Sequence, residues 1–450
     1  MKGCVVALAV ILSLGATAQP VDVLVVGAGP AGLAAALAAA KSGAKTMVVE
    51  RSGSVGGTAV LSRVGALGLF HAWGRQIVDG PVWTVVTNAV ALDGGALPDV
   101  TRPMGRNHLS HCVRVNPDLY AAVAEESLYA AGVDLRLGAF PVSLRRADFG
   151  WGVSVATDAG LVQVEARQIV DATGNASVAA MAGAQREKAE DAVRQPGSFF
   201  FHLTGVRGSY DPDALDRAHQ EAVASGELLP TDVFVKMSDF VRNGGGWGNY
   251  IPLADNSDMA ARTETNRRGR ASMLRILRFL RRQPGMGNVQ LALASRETGV
   301  RETYRVVGES TITGEDYLSG RLYEDALSYS YWMIDPHDAR SKTAKLVYLE
   351  EGRVATVPLS AMIPKGVENL LVAGRAVSSD HLANSALRVQ GSCMAIGQAA
   401  GVAAAVAARK SCDARRLDLD EVKRGLRAIG AIVPDADCGR LLKESAGEGK

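Results

Sequence analysis

Val23-Leu24-Val25-Val26-Gly27-Ala28-Gly29-Pro30-Ala31-Gly32 carries an apolar run straight into a glycine-rich turn. An alanine-rich stretch follows, and Met47-Val48-Val49-Glu50 closes the segment. Strand, glycine turn, helix, second strand and terminal acid, in that order, make one complete dinucleotide-binding unit. Gly27 allows the tight turn out of the first strand, Gly29 lets backbone approach a pyrophosphate, and Gly32 lets the helix pack close to the sheet. Pro30 and Ala31 open that helix, where unpaired N–H groups and the helix dipole favour an anion. Glu50 stands eighteen residues beyond Gly32. Its carboxylate accepts both ribose hydroxyl hydrogens and repels a phosphorylated ribose.

Beyond Glu50, Arg51-Ser52-Gly53-Ser54-Val55-Gly56-Gly57-Thr58 is a loop of small residues that lets backbone pass close to a ligand, with Gly56, Gly57 and Thr58 as the contacts. Trp73 to Arg106 reads as an irregular surface excursion. Asn116-Pro117-Asp118 opens a helix that runs to about Ala131, with Val133 to Leu137 as the next strand. Val142, just after it, is assigned to the cofactor as well. Trp151 to Ala156 and Leu161 to Ala166 form a hairpin about Asp158-Ala159-Gly160. Gln168-Ile169-Val170-Asp171-Ala172-Thr173-Gly174 then returns to the nucleotide sheet. Between Arg186 and Val354 the character changes to aromatic residues, a polar helix from Ala260 to Arg282 and glycine-rich turns such as Gly244 to Gly248. Asn369 to Arg375 is another buried strand, and Gly391 to Ala408 a small-residue helix.

Ahead of the fingerprint, Lys2, an apolar segment from Val5 to Ala16 and Ala16-Thr17-Ala18 read as an export signal over residues 1–18. This predicts a secreted or periplasmic protein, or a cytoplasmic one if the segment is not cleaved. The segment falls short of the roughly 20 residues a membrane span needs. A net charge of +2 gives no basic surface for nucleic acid. Cys4, Cys112, Cys393, Cys412 and Cys438 contain no C-x-x-C pair, so neither a redox dithiol nor a zinc ribbon is indicated. Cys412 and Cys438 could be bridged in an oxidising compartment.

The nucleotide half stands first, a strand of the same sheet returns near residue 170, and a last strand and helix return near residue 370. A nicotinamide enzyme places its nucleotide domain in one block; this interleaving suits FAD lying extended across two domains. Gly27 to Gly32, Gly56-Gly57-Thr58, Asp171 to Gly174, Gly299 to Gly308, Met333 to His337, Ile363 to Arg375, Ser385 to Gln390 and Cys393 to Gly401 resemble the FAD-dependent oxidoreductase family in that order. The resemblance implies an α/β fold: a Rossmann-like FAD-binding domain of the glutathione-reductase type, residues 19–185 with 355–450, and an inserted mixed α+β substrate domain over 186–354. Tyr304 stands where that family often has a second arginine.

Thr173-Gly174 and Gly374-Arg375 end strands at the carboxyl edge of the sheet and should approach the FAD phosphates and ribityl chain. The helix start near Ala386 to Gln390, with Arg388, Val389 and Gln390, is placed to stabilise negative charge on the flavin; for Arg388 a surface or interdomain salt bridge is the competing reading. Arg301, Glu302 and Arg305 interrupt an apolar strand pattern from Val300 to Val307, so Glu302 is expected to pair with one arginine and leave the other to hold a substrate anion; a closed structural ion network is the competing reading. His337 and His381 are the acid/base candidates; a hydrogen-bonded structural role is the competing reading for each. His108-Leu109-Ser110-His111-Cys112 lacks a further ligand at metal spacing, and Cys393 is expected to be buried and inert. The expected function is hydride transfer between a small organic substrate and flavin, with catalytic residues Arg301, His337, His381 and Arg388 and a quinone, electron carrier or oxygen as redox partner. An enzyme acting on a carbon–carbon double bond, like fumarate reductase or ketosteroid dehydrogenase, and a non-catalytic flavin carrier are the alternatives.

Overall fold

The computed structural model describes residues 20–434, apart from 103, 106, 149, 207–209, 247 and 341–342. The expected export segment at 1–18 and Cys438 lie outside them; Cys112, Cys393 and Cys412 are free thiols. In chain order the elements that build the site are β1 (Val21–Val26), α1 (Pro30–Lys41), β2 (Thr46–Glu50), α2 (Pro117–Ala130), β3 (Asp134–Leu137), β4 (Phe140–Ala147), β5 (Gly150–Thr157) and β6 (Gly160–Asp171). They continue with β7 (Phe201–Thr204), α3 (Met259–Arg281), β8 (Gln290–Ala294), β9 (Leu370–Val372), α4 (His381–Leu387) and α5 (Gln390–Lys410).

The main sheet has seven strands in the order β3-β2-β1-β6-β5-β4, with β9 also paired to β6. β1, β2, β3 and β9 are parallel; the near-continuous apolar runs of β1, β2 and β9 reflect burial on both faces, whereas β3, at the edge, alternates polar and apolar residues. β6 changes partners along its length. Gly160 to Ala166 pairs antiparallel with β5, and Ala166 to Asp171 runs parallel between β1 and β9. Leu161–Ala166 and Gln168–Asp171, separate in the sequence reading, are therefore one strand of twelve residues. Its exposed first third and buried last third show as two patterns because its surroundings change.

α5 lies directly on α1. A Cβ on Gly397 would fall 2.2 Å from the Ala31 carbonyl oxygen, and one on Gly401 would fall 2.2 Å from that of Ala35. Small residues on this helix are thus the condition for close approach, and Gln390 to Ala408 is buried throughout. The helix is long and apolar enough to cross a membrane, but its apolar window is wholly inside the protein. Asn116 caps α2 by accepting from Asp118 N–H at 3.1 Å, as its sequence implies.

Two expectations need correction. Trp73 to Arg106 contains a helix, Pro81–Leu92, whose Val82, Val85, Val86, Ala89 and Val90 are buried at helical spacing; the Gly and Pro residues flank it rather than fill it. Only Tyr304–Val306 of the Val300–Val307 pattern is strand, pairing with Arg186–Lys188. Arg301 and Glu302 precede it in irregular backbone, where two adjacent charges need not alternate faces. A second apolar core gathers Phe199, Phe201, Phe240, Ile276, Phe279 and Leu280 around β7, β8 and α3. Tyr317, Tyr329, Trp332 and Val357 pack instead into the core of α1 and α5.

Candidate active site

The first three glycines divide their work as steric arguments demand. A Cβ on Gly27 (φ 95°) would lie 2.7 Å from the Ala172 oxygen, and one on Gly32 would lie 1.8 Å from that of Gly27. A Cβ on Gly29 meets nothing nearer than the Gly57 Cα at 3.9 Å. Gly29 therefore leaves an open backbone surface at the head of α1, whose amino terminus has no side-chain cap. Gly57 (φ 50°) closes the opposite wall, since its own Cβ would fall 2.8 Å from the Gly29 Cα. The Glu50 carboxylate is buried, one oxygen accepting from Ala28 N–H and the other from Ser52 N–H, each at 2.8 Å. Each oxygen retains acceptor capacity for a hydroxyl.

Arg375 reaches back under this cradle. Its guanidinium donates to the Gly174 oxygen at 2.8 Å, to the Val300 oxygen and to Asn175 Oδ1 at 3.4 Å. Among the described residues it has no carboxylate partner. Burial lowers its pKa to about 10, and the positive charges of Arg51 and Arg388 act in the same direction. A buried cation without counter-charge gains most from an anion. The Thr173 hydroxyl donates to Asp171 Oδ1 at 2.7 Å and accepts from the Ser177 N–H, capping the following turn.

A second cluster forms where α4 gives way to α5. The sequence suggested one helix start near Ala386 to Gln390. The structure has two helices, with Arg388 ending α4 and Val389, in extended backbone, capping α5. Arg388 donates to Gln195 Oε1 at 3.1 Å and to the Asp335 oxygen at 3.3 Å, with Asp335 Oδ2 at 3.5 Å. Asp335 also holds His337 Nε2 at 3.1 Å, and the Tyr250 hydroxyl lies 2.7 Å from His337 Nδ1. Arg301 donates to the Pro196 oxygen and to Ser198 Oγ, lies 5.6 Å from the Tyr250 ring centroid, and has no carboxylate partner among the described residues.

Electrostatics fixes the protonation states. Burial, reinforced by the Arg301 charge, lowers the His337 pKa to about 4, so the ring is neutral at neutral pH. Burial works against the Asp335 carboxylate, but the His337 hydrogen bond and the charges of Arg388 and Arg301 act the other way and hold the group below its ordinary range. An ionised Asp335 makes His337 Nε2 the donor, so Nδ1 accepts the Tyr250 proton. Glu302 is likewise held ionised against its burial by His381, the Gln195 N–H and Arg305.

The profile of the family described as FAD dependent oxidoreductase matches residues 22–426. The chain belongs to that family. It is an oxidoreductase, and FAD is its cofactor. No curated protein matches it. Similar solved structures include PieE, a flavin-dependent monooxygenase in complex with FAD and substrate, at 15% identity over 97% of this chain and 70% of that one, TM-score 0.44. BexE, studied for oxidation during BE-7585A biosynthesis, is 15% identical over 96% and 73%, TM-score 0.43. A geranylgeranyl bacteriochlorophyll reductase-like protein of Thermoplasma acidophilum is 15% identical over 95% and 84%, TM-score 0.40.

The cradle fits FAD on its own terms: an open Gly29 backbone, an uncapped helix terminus, a buried uncompensated Arg375 and a ribose-ready Glu50. Arg388 Nε and Gln390 Oε1, at the junction of α4 and α5, are buried and without partners among the described residues. Val142 is 45% exposed, at a register irregularity between Pro141 and Ser143. Of the catalytic candidates, Arg301, His337 and Arg388 converge. His381 is tied to Glu302 at 3.2 Å, and Glu302 to Arg305 at 3.5 Å, so the ion network expected of Glu302 closes without Arg301. Tyr304 is occupied by the Arg186 guanidinium, 4.0 Å from its ring centroid. No group of three or more His, Cys, Asp or Glu side chains that could hold a metal ion occurs among the described residues. Burial pushes the Cys393 thiol up to about 12, leaving it unreactive.

Sequence reasoning missed Tyr250, Asp335 and Gln195. The glycine-rich turn at Gly244 to Gly248 marks the approach to Tyr250, but nothing local couples that turn to Ile334-Asp335-Pro336-His337, which lies more than eighty residues away.

Proposed function

We propose that the protein transfers a hydride between a small organic substrate and FAD, with the substrate held between Arg301, His337 and Arg388. In this reading 19–185 with 355–450 form an FAD domain of the glutathione-reductase type, 186–354 contributes the substrate side, and the protein is exported. Bound FAD supplies a two-electron hydride acceptor or donor. Gly27, Gly29, Pro30, Ala31 and Gly32 carry its pyrophosphate, Glu50 its ribose, and Gly56, Gly57, Thr58, Gly174, Gly374 and Arg375 line its path. Arg51 adds positive charge beside Glu50. The α5 amino terminus, with Val389 and Gln390, offsets negative charge at the ring end.

The observation that carries this reading is Arg301, a partly buried cation without a carboxylate, beside a neutral histidine already oriented by Asp335. Arg301 orients an anionic or polar substrate group, and the His337 relay removes a proton. A quinone, a small electron carrier or oxygen closes the cycle. The test is anaerobic mixing of FAD-loaded protein with small acids, alcohols and sugars. Bleaching of the flavin and its return on adding an acceptor support the proposal; a flavin that no donor reduces and no acceptor reoxidises supports a carrier protein instead.

A further inference from the structure

His337 has no free ring nitrogen. Nε2 is 3.1 Å from Asp335 Oδ2, and Nδ1 is 2.7 Å from the Tyr250 hydroxyl. A substrate proton therefore reaches His337 only through the Tyr250 oxygen, which donates its single proton to Nδ1 and keeps acceptor lone pairs for a partner. Tyr250 is well fixed for this. Its ring stacks on Phe234 at 4.2 Å and 25°, and its backbone N–H donates to the Thr231 oxygen at 2.8 Å. The preceding Asn249 side chain bonds both the N–H and the C=O of Phe199.

The charges beside this relay do not balance. Arg388 pairs with Asp335 and Arg301 with no carboxylate among the described residues; Glu302 acts on both arginines but is itself engaged by Arg305 and His381, and Asp338, which acts on Tyr250, is paired with Arg340. Two guanidinium groups against one carboxylate leave one positive charge. Gln195 adds to the demand: its Oε1 accepts from Arg388 and from the His337 backbone N–H, so its Nε2 is turned the other way, buried and without a partner among the described residues. Unsatisfied donors and one spare positive charge call for a group with several acceptor oxygens and a single negative charge.

We propose that the substrate is a small hydroxy acid, its carboxylate held by Arg301 with the Gln195 amide and Arg388 adjoining, and its hydroxyl proton taken by Tyr250. The proposal rests on the hydride-transfer reading above. The substrate C–H bond breaks with its electron pair leaving as hydride to FAD. The O–H bond breaks as its proton passes to the Tyr250 oxygen, the Tyr250 proton passes to His337 Nδ1, and the carbon–oxygen bond becomes a carbonyl. Asp335 is a positioning residue that stabilises the resulting imidazolium. Burial and then the Arg301 charge hold His337 neutral; an arriving carboxylate offsets the second of these, so the relay gains basicity when an acid is bound.

The experiment uses the FAD-loaded protein with lactate, its hydroxyl-free analogue propionate and its neutral analogue propylene glycol. Calorimetry should show propionate binding and no propylene glycol binding. Arg301→Ala should weaken propionate at least about tenfold, and Arg301→Lys should restore part of the loss. Tyr250→Phe should bind propionate within about threefold of the parent. It should slow flavin bleaching by lactate by about a hundredfold or more and remove one step from the alkaline tyrosinate absorbance titration. Retention of FAD and an unchanged melting temperature show that each variant is folded. Propylene glycol binding as well as propionate, or propionate binding indifferent to Arg301, overturns the proposal. Bleaching by lactate that survives in Tyr250→Phe overturns the relay while leaving hydride transfer intact. Failure of every small donor to bleach the flavin sinks the hydride-transfer reading itself, and anion binding still reports on Arg301.

Discussion

Replacing His337 by asparagine should change how stability depends on pH, with a sign and size set by the structure. An unfolded histidine titrates near 6.5, whereas His337 in the fold titrates at about 4. Between those limits the unfolded chain binds the extra proton, so this group's stability is fully present above 6.5 and lost as pH falls toward 4. The full difference, about 2.5 pH units at about 1.36 kcal/mol each, is on the order of 3 kcal/mol; moving from about pH 7.5 to about pH 5 removes roughly 2 kcal/mol of it. The groups facing His337 are Tyr250, Asp335, Arg301 and Arg388. Burial raises the tyrosine pKa, the Asp335 carboxyl is held below its ordinary 3.8, and the arginines stay charged, so none titrates in that interval. The assay is urea unfolding at fixed excess FAD, comparing parent and variant at both pH values. The variant's stability relative to the parent should improve by roughly 2 kcal/mol at the lower pH. An equal difference at both pH values would mean that His337 is not held neutral, and the relay argument would fail.

Gly401→Val should destabilise the protein by more than about 3 kcal/mol and release FAD, because the new side chain would enter the Ala35 backbone on α1; the melting temperature and retained flavin report this. Gly32→Ala should abolish FAD binding in a fluorescence titration for a similar reason, its Cβ colliding with the Gly27 oxygen. With its thiol pushed up to about 12 by burial, Cys393 should resist alkylation in the native protein near pH 8, whereas partly exposed Cys412 is modified, as peptide mass mapping would show.

The cofactor half of the site was legible because its determinants are local. Gly27, Gly29 and Gly32 sit within six residues: Gly32 packs on the Gly27 oxygen inside the β1 to α1 turn and Gly29 leaves open backbone there, while Gly27 abuts Ala172 just after β6. The small residues of Gly391 to Ala408 were equally readable, since Gly397 and Gly401 exist to admit α1. The substrate half was only partly so. Arg301, His337 and Arg388 stood out by residue type, but Tyr250 is one tyrosine of ten, and its meaning comes from a histidine far along the chain. His381 was chosen for its type alone, and its link to Glu302 depends on how α4 docks. The Pro81–Leu92 helix was lost because Gly and Pro at its borders outweighed its internal period.

The most direct test of the account is one anaerobic titration of the purified, FAD-reconstituted protein. The account predicts one FAD per chain, reduced by one equivalent of a two-electron organic donor and requiring Arg301. A protein that takes up no FAD, or whose bound flavin is reduced equally well without Arg301, would contradict it.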